Sequence, residues 1–244
     1  MKIGVLSKIW DDHFIRAGLG IKEAAKELGI SVEYDGPSRP DSVRQKDILE
    51  KWLRKGVNAI VVSANDPDTL VPIMKKAQLK GIKTSTWDSD ISNGREYFLN
   101  QTSNQSMGKC LVDMMTHSLD NSDGNYLVIT SSLDAPNQRQ WFEEMKNYSK
   151  KKYPKIIYKD IIECNEGAEC AEKLTHNYLL NNSNTKGIFC LTGNSTPGVL
   201  KAVKILDLVD KIPVTGIGVQ PNINTFLKEG SVEQVALWNP EDLG

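Results

Sequence analysis

The 244-residue chain has few of the residues on which disulfide frameworks and metal centres depend. It contains four cysteines and three histidines. No two cysteines form a C-x-x-C pair, the spacing of Cys164 and Cys170 is not typical of zinc ligands, and no pair of histidines lies nearby to complete a set of four. We therefore expect no disulfide framework and no metal site, with the cysteines packed in the core or exposed as ordinary thiols.

Long apolar runs and an excess of charge are also missing. No stretch of about 18 apolar residues is present, so no segment is predicted to span a bilayer. The 30 basic and 31 acidic residues give a net charge of −1, which argues against a protein that binds nucleic acid or a membrane through a broad positive field. Met1–Leu6 lacks the apolar core of a secretory signal, so the residues alone leave open a cytosolic protein or one whose leader has been removed.

Motifs for nucleotide binding and nucleophilic catalysis are absent. The chain has no G-x-x-x-x-G-K-[ST] sequence, Gly18-Leu19-Gly20 falls within a predicted helix, and Gly216-Ile217-Gly218 lacks a third glycine. No nucleophile stands beside a base in the pattern of a hydrolase. We therefore expect no cofactor and no enzymatic activity.

The sequence instead alternates short apolar strands with helices along almost its whole length. A predicted helix separates each consecutive pair of strands, which indicates parallel sheets with right-handed crossovers and helices on both faces. The predicted strands are Lys2–Leu6, Ile30–Tyr34, Ala59–Val62, Ile82–Trp87, Asn125–Thr130, Lys155–Ile162, Gly187–Leu191, Pro213–Ile217 and Val232–Trp238.

A polar, turn-rich break at residues 90–105 divides this alternation into two series. We predict an α/β fold of two doubly wound parallel-sheet lobes joined by a hinge, with an N-terminal lobe at 1–103 and a C-terminal lobe at 104–234. Residues 235–244 are predicted to cross the hinge and to begin a helix that returns to the N-terminal lobe, because Pro240 follows Asn239 as in a helix start. Since that helix has only begun at Gly244, we expect a further C-terminal segment to be missing.

Ligands of open parallel sheets bind at the carboxyl ends of the strands, so the residues just beyond those ends form a candidate site. Carboxylates, amides and a lysine accept from and donate to hydroxyl groups, and tryptophan covers the apolar face of a sugar. The set therefore predicts a hydroxyl-rich ligand. These residues are Ser7, Lys8, Trp10, Ala64, Asn65, Asp88, Asp90, Asp134, Asn137, Gln138, Thr192–Ser195, Gly218, Gln220, Trp238 and Asn239.

The segment Trp87-Asp88-Ser89-Asp90 carries two carboxylates that are open to several interpretations. They could clamp a metal or form the acid pair of a glycosidase. However, a glycosidase places its carboxylates on opposite sides of the scissile bond, whereas these two come from one segment. We therefore predict that one carboxylate binds the ligand and that the other stabilises a turn.

Several segments resemble the periplasmic sugar-binding proteins of ABC importers, in particular the autoinducer-2 binding and rhamnose-binding members. The resemblance covers essentially the whole chain and implies the type I periplasmic binding fold, a two-lobed clamp that captures a small sugar-like molecule and passes it to a membrane permease. It also implies an extracytoplasmic monomer, in the periplasm or as a cell-surface lipoprotein, from which a leader has been removed. The segments that carry it are Tyr34-Asp35-Gly36-Pro37, Asn58–Ala64, Thr86–Asp90, Gln138-Arg139-Gln140-Trp141 and Leu237-Trp238.

The resemblance implies particular ligand-binding residues in this chain. The lysine after the first strand, the aspartate after the fourth-strand tryptophan and the glutamine that opens a helix of the second lobe are present as Lys8, Asp88 and Gln138. Trp10 or Trp87 would form an aromatic wall beside them. Such a set suits a hydrated furanone-like ligand with several hydroxyl groups.

Three positions depart from the pattern of the family. Asn137 stands where the family has an aspartate, Leu191 where it has a proline, and Gly193 where it has an alanine. The last two positions contribute backbone or shape, whereas Asn137 loses a charge and gains a donor. These departures leave the identity of the ligand open without removing the binding role.

The candidate ligand-binding residues combine the strand-end positions with those the resemblance implies. Two other interpretations remain open: the sugar-sensing domain of a regulator or sensor kinase, which shares the fold, and a sugar-processing enzyme that uses Asp88 and Asp90. A regulator would carry a helix-turn-helix before Lys2. The candidates are Lys8, Trp10, Asp88, Asp90, Asn137, Gln138, Leu191, Gly193, Trp238 and Asn239.

Overall fold

The computed structural model describes residues 1–165, 167–219 and 221–244. Strands and helices alternate along the chain, and every strand pairing is parallel, which confirms the predicted α/β fold with two parallel sheets. The elements are β1 (Lys2–Leu6), α1 (Asp12–Glu27), β2 (Ser31–Asp35), α2 (Ser42–Lys55), β3 (Ala59–Val62), α3 (Pro67–Leu79), β4 (Lys83–Trp87), β5 (Tyr97–Leu99), α4 (Asn104–His117), β6 (Gly124–Thr130), α5 (Pro136–Lys152), β7 (Ile156–Glu163), α6 (Ala168–Asn181), β8 (Thr185–Cys190), α7 (Thr196–Ile205), β9 (Val214–Gly216), α8 (Asn224–Lys228) and α9 (Pro240–Leu243).

The chain folds into two compact units, each built from more than one segment. The first unit comprises Met1–Gln101, Asp134–Asn137 and Trp238–Gly244, and the second comprises Thr102–Leu133 and Gln138–Leu237. The lobe boundaries expected from the sequence, at 103/104 and 234/235, stay a prediction. Within the described residues, no helix combines the length and apolar character that crossing a membrane requires.

The sheet of the first unit has the strand order β2-β1-β3-β4-β5. Its helices begin at aspartate caps, because the Asp11 and Asp41 side chains accept hydrogen bonds from the backbone N–H groups of Phe14 and Arg44 at 2.9 and 2.8 Å. At the other end of α2, Gly56 adopts a left-handed conformation with φ of 66° and closes the last turn. These caps fix where each helix starts or stops relative to the ends of the strands.

Apolar side chains cover both faces of this sheet. On one face, Leu6 and Ile60 pack with Trp52 of α2 in a fully buried cluster. On the other face, Val5 and Trp87 pack with α1 residues, including Phe14. Burial on both faces explains why β3 reads as an uninterrupted apolar run rather than as an alternating one.

The sheet of the second unit has the strand order β7-β6-β8-β9. Its central strand β6 has five consecutive buried residues, Tyr126–Thr130. Leu127 and Ile129 belong to an apolar cluster that also contains residues of α6 and α7, such as Ala171 and Val199. The second unit therefore has its own hydrophobic core.

One predicted strand is wrong, and one observed strand is absent from the predicted set. Val232–Trp238 is not a strand: Ala236 alone of this segment pairs with Ile217, in an isolated bridge, and Val232 belongs to the core cluster of the second unit. Conversely, Tyr97–Leu99 pairs with β4 as an edge strand. The signal in the sequence is weak there because the strand has only three residues within a polar, turn-rich stretch. Tyr97 and Leu99 are 74% and 56% exposed.

Candidate functional site

In the first unit, two charged residues, Lys8 and Asp88, lie just beyond the carboxyl ends of strands in the same sheet. Leu6, Val62 and Thr86 lie side by side on β1, β3 and β4. Lys8 follows Leu6 by two residues, and Asp88 follows Thr86 by two residues. Because the strands are parallel, both residues lie at the same edge of the sheet. They are 5% and 4% exposed. Because charged side chains are rarely buried to this extent without a partner, this edge is a candidate polar site.

Asp88 is held in an unusual conformation for a residue with a side chain. Its φ is 57°, in the left-handed region, where a residue other than glycine costs about 1–3 kcal/mol. Its N–H donates to the Leu99 carbonyl at 3.0 Å, and its Oδ2 accepts from the Ser63 hydroxyl at 2.8 Å. The fold therefore fixes the position of this carboxylate despite the backbone strain.

Asp90 has a different environment from Asp88. Arg95 donates to both of its oxygens, from Nε to Oδ1 at 2.9 Å and from Nη2 to Oδ2 at 2.6 Å. The hydroxyl of Thr86 also donates to Oδ1. Hydrogen bonding to Asp90 raises the pKa of Arg95. Asp90 thus has the turn-stabilising contacts expected for one of the two carboxylates, and its contact with a ligand stays a prediction.

The two tryptophans expected to form an aromatic wall differ in exposure. Trp10 is 44% exposed, and its ring centroid lies 5.2 Å from that of Tyr34. Trp87 is 2% exposed, belongs to the apolar cluster under α1, and donates from Nε1 to the Leu6 carbonyl at 3.2 Å. The interpretation of Trp87 as a wall is therefore wrong, because its ring is core, and Trp10 alone of the two offers an aromatic surface.

The turn after β2 explains one of the motifs noted in the sequence. A Cβ atom at Gly36 would lie 1.9 Å from the Ser7 Oγ atom and 3.4 Å from the Trp10 ring. Only glycine permits this close approach. The Tyr34 hydroxyl donates to the Phe14 carbonyl at 2.7 Å and so fixes the strand end below Trp10. This turn therefore shapes the segment that carries Lys8 and Trp10.

A buried amide that the sequence did not single out joins the segments of this edge. Gln45 of α2 is 0% exposed; its Nε2 donates to the carbonyls of Ser7 and Ser63, and its Oε1 accepts from the Asn65 N–H. Gln45 shares the buried face of α2 with Ile48, among others. In the sequence, Gln45 could have been identified as a polar residue on the otherwise apolar face of the predicted helix.

Asn65 was among the strand-end residues but not among the selected candidates. Its Nδ2 donates to the Lys8 carbonyl at 2.7 Å, while its buried Oδ1 has no hydrogen-bond partner among the described residues. A buried acceptor without a partner costs about 1–3 kcal/mol. A hydroxyl donor from a ligand would relieve that cost, so we add Asn65 to the candidate residues.

In the second unit, Gln138 lies in the first turn of α5 against the end of β6. It is 3% exposed. Its Oε1 accepts from the Thr130 hydroxyl at 2.5 Å and from the N–H and hydroxyl of Ser131 at 2.8 and 3.0 Å. These three bonds occupy the amide oxygen. Any contact of Gln138 with a ligand is therefore expected from its amide nitrogen as a donor.

The three positions that depart from the family pattern are all buried. Asn137 is 8% exposed, and Leu191 is 1% exposed with its N–H bonded to the Ile129 carbonyl at 2.8 Å. A Cβ atom at Gly193 would lie 2.2 Å from Cγ2 of Val219. Glycine is thus required at this position by local packing against Val219. The contacts of these residues with a ligand stay predictions.

The remaining candidates have structural contacts within the first unit. Trp238 packs against the apolar cluster under α1, with its ring centroid 5.6 Å from that of His13 in an edge-to-face arrangement. Asn239 is exposed and caps α9, because its Oδ1 accepts from the Glu241 N–H at 3.2 Å. Their contact with a ligand stays a prediction, and Gln220 lies outside the described residues.

Comparison with solved structures shows the same fold in several proteins. The chain is 23% identical to LsrB from Clostridium saccharobutylicum in complex with AI-2, with a TM-score of 0.92 over 100% of this chain and 78% of that one. It is 24% identical to an ABC transporter solute binding protein from Clostridium phytofermentas with bound L-rhamnose, with a TM-score of 0.90 over 99% and 77% of the two chains. It is also 24% identical to an ABC transporter solute binding protein from Burkholderia graminis in complex with D-arabinose, with a TM-score of 0.92 over 100% and 84%.

The family assignment comes from the sequence itself. A family model described as a periplasmic binding protein domain matches residues 3–244. The match runs through both sheets and includes the strand-end segments that carry Lys8, Asp88 and Gln138. The chain therefore belongs to the periplasmic binding protein domain family.

Proposed function

We propose that this protein captures a small sugar-like ligand outside the cytoplasm and delivers it to the permease of an ABC importer, without converting it chemically. The observation that carries this proposal is the pair of buried charged residues, Lys8 and Asp88, at one sheet edge, with the Asp88 carboxylate held by Ser63. The bound AI-2, L-rhamnose and D-arabinose of the similar solved structures support it.

The chemistry of this edge suits a ligand with several hydroxyl groups. The Asp88 carboxylate and the Asn65 Oδ1 atom accept hydrogen bonds from hydroxyls, and the Lys8 ammonium donates to hydroxyl or ring oxygens. The exposed Trp10 ring covers an apolar face of the ligand. Asn137, which belongs to the first unit, is proposed to add a further hydrogen bond. The amide nitrogen of Gln138 is proposed as a ligand donor at the strand ends of the second unit.

The number of such contacts is enough for useful affinity. A hydrogen bond to a charged group contributes about 1.5–3 kcal/mol when water is excluded. Four such bonds at the upper end of this range total about 12 kcal/mol, and an association cost of about 4 kcal/mol leaves a binding free energy near −8 kcal/mol, which corresponds to a Kd of about 1 μM. We therefore expect micromolar or tighter binding.

We propose autoinducer-2 or a related sugar as the ligand. The Lys8, Asp88 and Gln138 positions match those of the autoinducer-2 receptors that this chain resembles, whereas Asn137 replaces a charged acceptor with a neutral amide. Packing against Val219 fills the space that Gly193 would otherwise open. The choice between autoinducer-2 and a pentose or deoxyhexose thus depends mainly on the hydrogen bonds at Asn137.

The contacts of Asp90 argue against the alternative of a sugar-processing enzyme. That alternative needs two carboxylates available to the substrate. Both oxygens of Asp90 accept hydrogen bonds from the Arg95 guanidinium, and this pairing disfavours Asp90 as an acid or a nucleophile beside Asp88. We therefore expect the protein to return its ligand unchanged, which one-dimensional NMR of a sugar incubated with the protein would check.

The test is a binding panel read by intrinsic tryptophan fluorescence and by the melting temperature. We expect at least one of autoinducer-2, L-rhamnose and D-arabinose to change the fluorescence and to raise the melting temperature. Asp88→Asn should raise the Kd obtained from the fluorescence titration by about tenfold or more, equivalent to about 1.4 kcal/mol. The matched control, Asp47→Asn on the exposed face of α2, should leave it unchanged. Equal responses of the two variants would contradict the assignment of Asp88.

A further inference from the structure

The amide of Gln45 makes three hydrogen bonds, all to the segments that follow two strands. Its Nε2 donates to the Ser7 carbonyl at 2.9 Å and to the Ser63 carbonyl at 2.7 Å, and its Oε1 accepts from the Asn65 N–H at 3.0 Å. Ser7 follows β1, and Ser63 and Asn65 follow β3. One side chain from α2 therefore joins both segments.

The Gln45 amide joins the two segments just beyond the last backbone hydrogen bond between β1 and β3. That last bond runs from the Ser63 N–H to the Leu6 carbonyl at 2.9 Å. One step further along the strands, the two carbonyls of Ser7 and Ser63 accept from Gln45 rather than from each other's backbone. Gln45 thus fixes the separation of the two segments beyond the reach of the sheet itself.

Each of the three residues that bond to Gln45 is connected to Lys8 or to Asp88. Ser7 directly precedes Lys8, and the Asn65 Nδ2 atom donates to the Lys8 carbonyl at 2.7 Å. The Ser63 hydroxyl donates to the Asp88 carboxylate at 2.8 Å. A continuous set of hydrogen bonds therefore runs from Gln45 to the backbone of Lys8 and to the carboxylate of Asp88.

A role in core packing alone does not account for this residue. Its neighbours on the buried face of α2 are apolar, among them Ile48, Leu49 and Trp52. An apolar side chain would fill the same volume without the cost of burying an amide. The buried amide is tolerated because both its nitrogen and its oxygen are hydrogen-bonded, and those bonds all end at the site edge.

We propose that Gln45 is a positioning residue, which sets Lys8 and Asp88 in the geometry that binds the ligand although it does not touch the ligand itself. This inference rests on the proposed function. Loss of the amide would leave the carbonyls of Ser7 and Ser63 without their side-chain donor, and the segment that carries Lys8 would shift. Ligand affinity would fall even in a folded protein.

The first test compares ligand affinity with stability. Gln45→Met keeps the length of the side chain and removes its hydrogen bonds, whereas Gln45→Glu keeps the shape and the acceptor. Leu53→Ala, on the same helix and in the same core cluster, is the control that destabilises the helix packing without touching these bonds. Calorimetry with autoinducer-2, L-rhamnose and D-arabinose is run at a temperature at which each variant is folded by circular dichroism.

We expect Gln45→Met to raise the Kd of the tightest of the three probes by about tenfold or more, the effect of losing one or more well-made hydrogen bonds. Gln45→Glu should have at least as large an effect, because a carboxylate cannot donate to the Ser7 and Ser63 carbonyls. Gln45→Leu, which also removes the donors, replaces Gln45→Met if the latter does not fold. Leu53→Ala should lower the melting temperature with the Kd within about twofold of the wild type. A Kd at the wild-type value in both Gln45 variants would overturn the proposal.

A second readout needs no ligand. Acetylation of Lys8 by acetic anhydride, followed by mass spectrometry, reports how far this buried amine is held in place. We expect faster acetylation of Lys8 in Gln45→Met than in the wild type, and no change in Leu53→Ala. If none of the three probes binds the wild type, the proposed function is wrong for them, whereas unchanged acetylation in Gln45→Met overturns the positioning role itself.

Discussion

At the residue scale, Asp88 and Asp90 differ in environment although they are two positions apart. The Asp90 carboxylate is held by a two-pronged pair with Arg95, which leaves it a structural group of the turn. Asp88 is buried at the sheet edge with a left-handed backbone and a hydrogen bond from Ser63. Strain kept at a buried polar position is typical of functional sites, which supports the proposal that Asp88 binds the ligand.

Substitutions at Asp88 should separate its backbone role from its charge. Asparagine tolerates the left-handed region and still accepts from Ser63, so Asp88→Asn should change the free energy of unfolding by less than about 1 kcal/mol while weakening ligand binding. Asp88→Ala keeps the strain and leaves the Ser63 hydroxyl without its acceptor, so it should cost about 1–3 kcal/mol. Urea denaturation measures both values. Equal stability of the two variants would contradict this account.

Gly193 makes a second prediction at this scale. Because a Cβ atom there would lie 2.2 Å from the Val219 Cγ2 atom, Gly193→Ala should destabilise the protein by about 1–3 kcal/mol through overpacking. Val219→Ala in the same chain should restore most of the loss, since it removes the clashing methyl group. A double-mutant cycle from urea denaturation measures the coupling. Additive effects of the two substitutions would show that Val219 is not the cause.

At the element scale, ion pairs tie β2 to α2 in the first unit. The two Glu33 carboxylate oxygens each accept from Lys55 at 2.8 Å, and Lys2 lies 3.3 Å from one of them. The hydrogen bonds from Lys55 are the main reason why the pKa of Glu33 falls from 4.5 to about 2. The ion pair of Glu33 and Lys55 therefore links β2, at the end of the sheet, to α2, the helix that carries Gln45.

The lowered pKa predicts a pH dependence of stability. The folded protein keeps Glu33 charged at pH values at which the unfolded chain binds a proton, so its stabilisation is complete above pH 4.5 and is lost as the pH falls toward about 2. Glu33→Gln should therefore lose less stability than the wild type between pH 6 and pH 2.5 in urea denaturation. Glu23→Gln, at an exposed position on α1, is the control. Parallel pH profiles of the wild type and Glu33→Gln would contradict the prediction.

The order and type of most elements could be predicted from the sequence, because apolar runs such as Ala59–Val62 and caps such as Asp41 encode them locally. The errors come from elements that depend on partners. Tyr97–Leu99 is a strand only because β4 offers it an edge, and Val232–Trp238 is not a strand because its pairing with the sheet is limited to the bridge between Ala236 and Ile217. Hydrogen bonds between distant residues, such as those of Gln45, leave no local pattern beyond a polar residue on an apolar stripe.

For the candidate site, the sequence predicts which residues lie at the strand ends, but it does not predict which hydrogen bonds each of them makes. Lys8 and Asp88 could be placed at one edge because parallel strands share a direction. The separation of Asp88 from Asp90 depends on Arg95, and the burial of Trp87 depends on α1, so neither follows from the order of residues. The same holds for the three bonds that occupy the Gln138 oxygen.

At the scale of the whole molecule, each of the two compact units has its own parallel sheet and its own apolar core. Each also presents buried polar side chains where its strands end, Lys8 and Asp88 in the first unit and Gln138 in the second. Membership of the periplasmic binding protein domain family supports the proposal that the protein captures a sugar-like ligand. Delivery to a permease then needs release of an unchanged molecule.

The most direct test of the proposed function is isothermal titration calorimetry of the full chain with autoinducer-2, pentoses, hexoses and deoxyhexoses. We predict a single site per chain with a Kd of about 1 μM or tighter for at least one of these compounds. In Asp88→Asn, the heat of that titration should disappear or the Kd should rise at least about tenfold. Absence of binding heat for every compound in the panel, at several temperatures, would contradict the central claim.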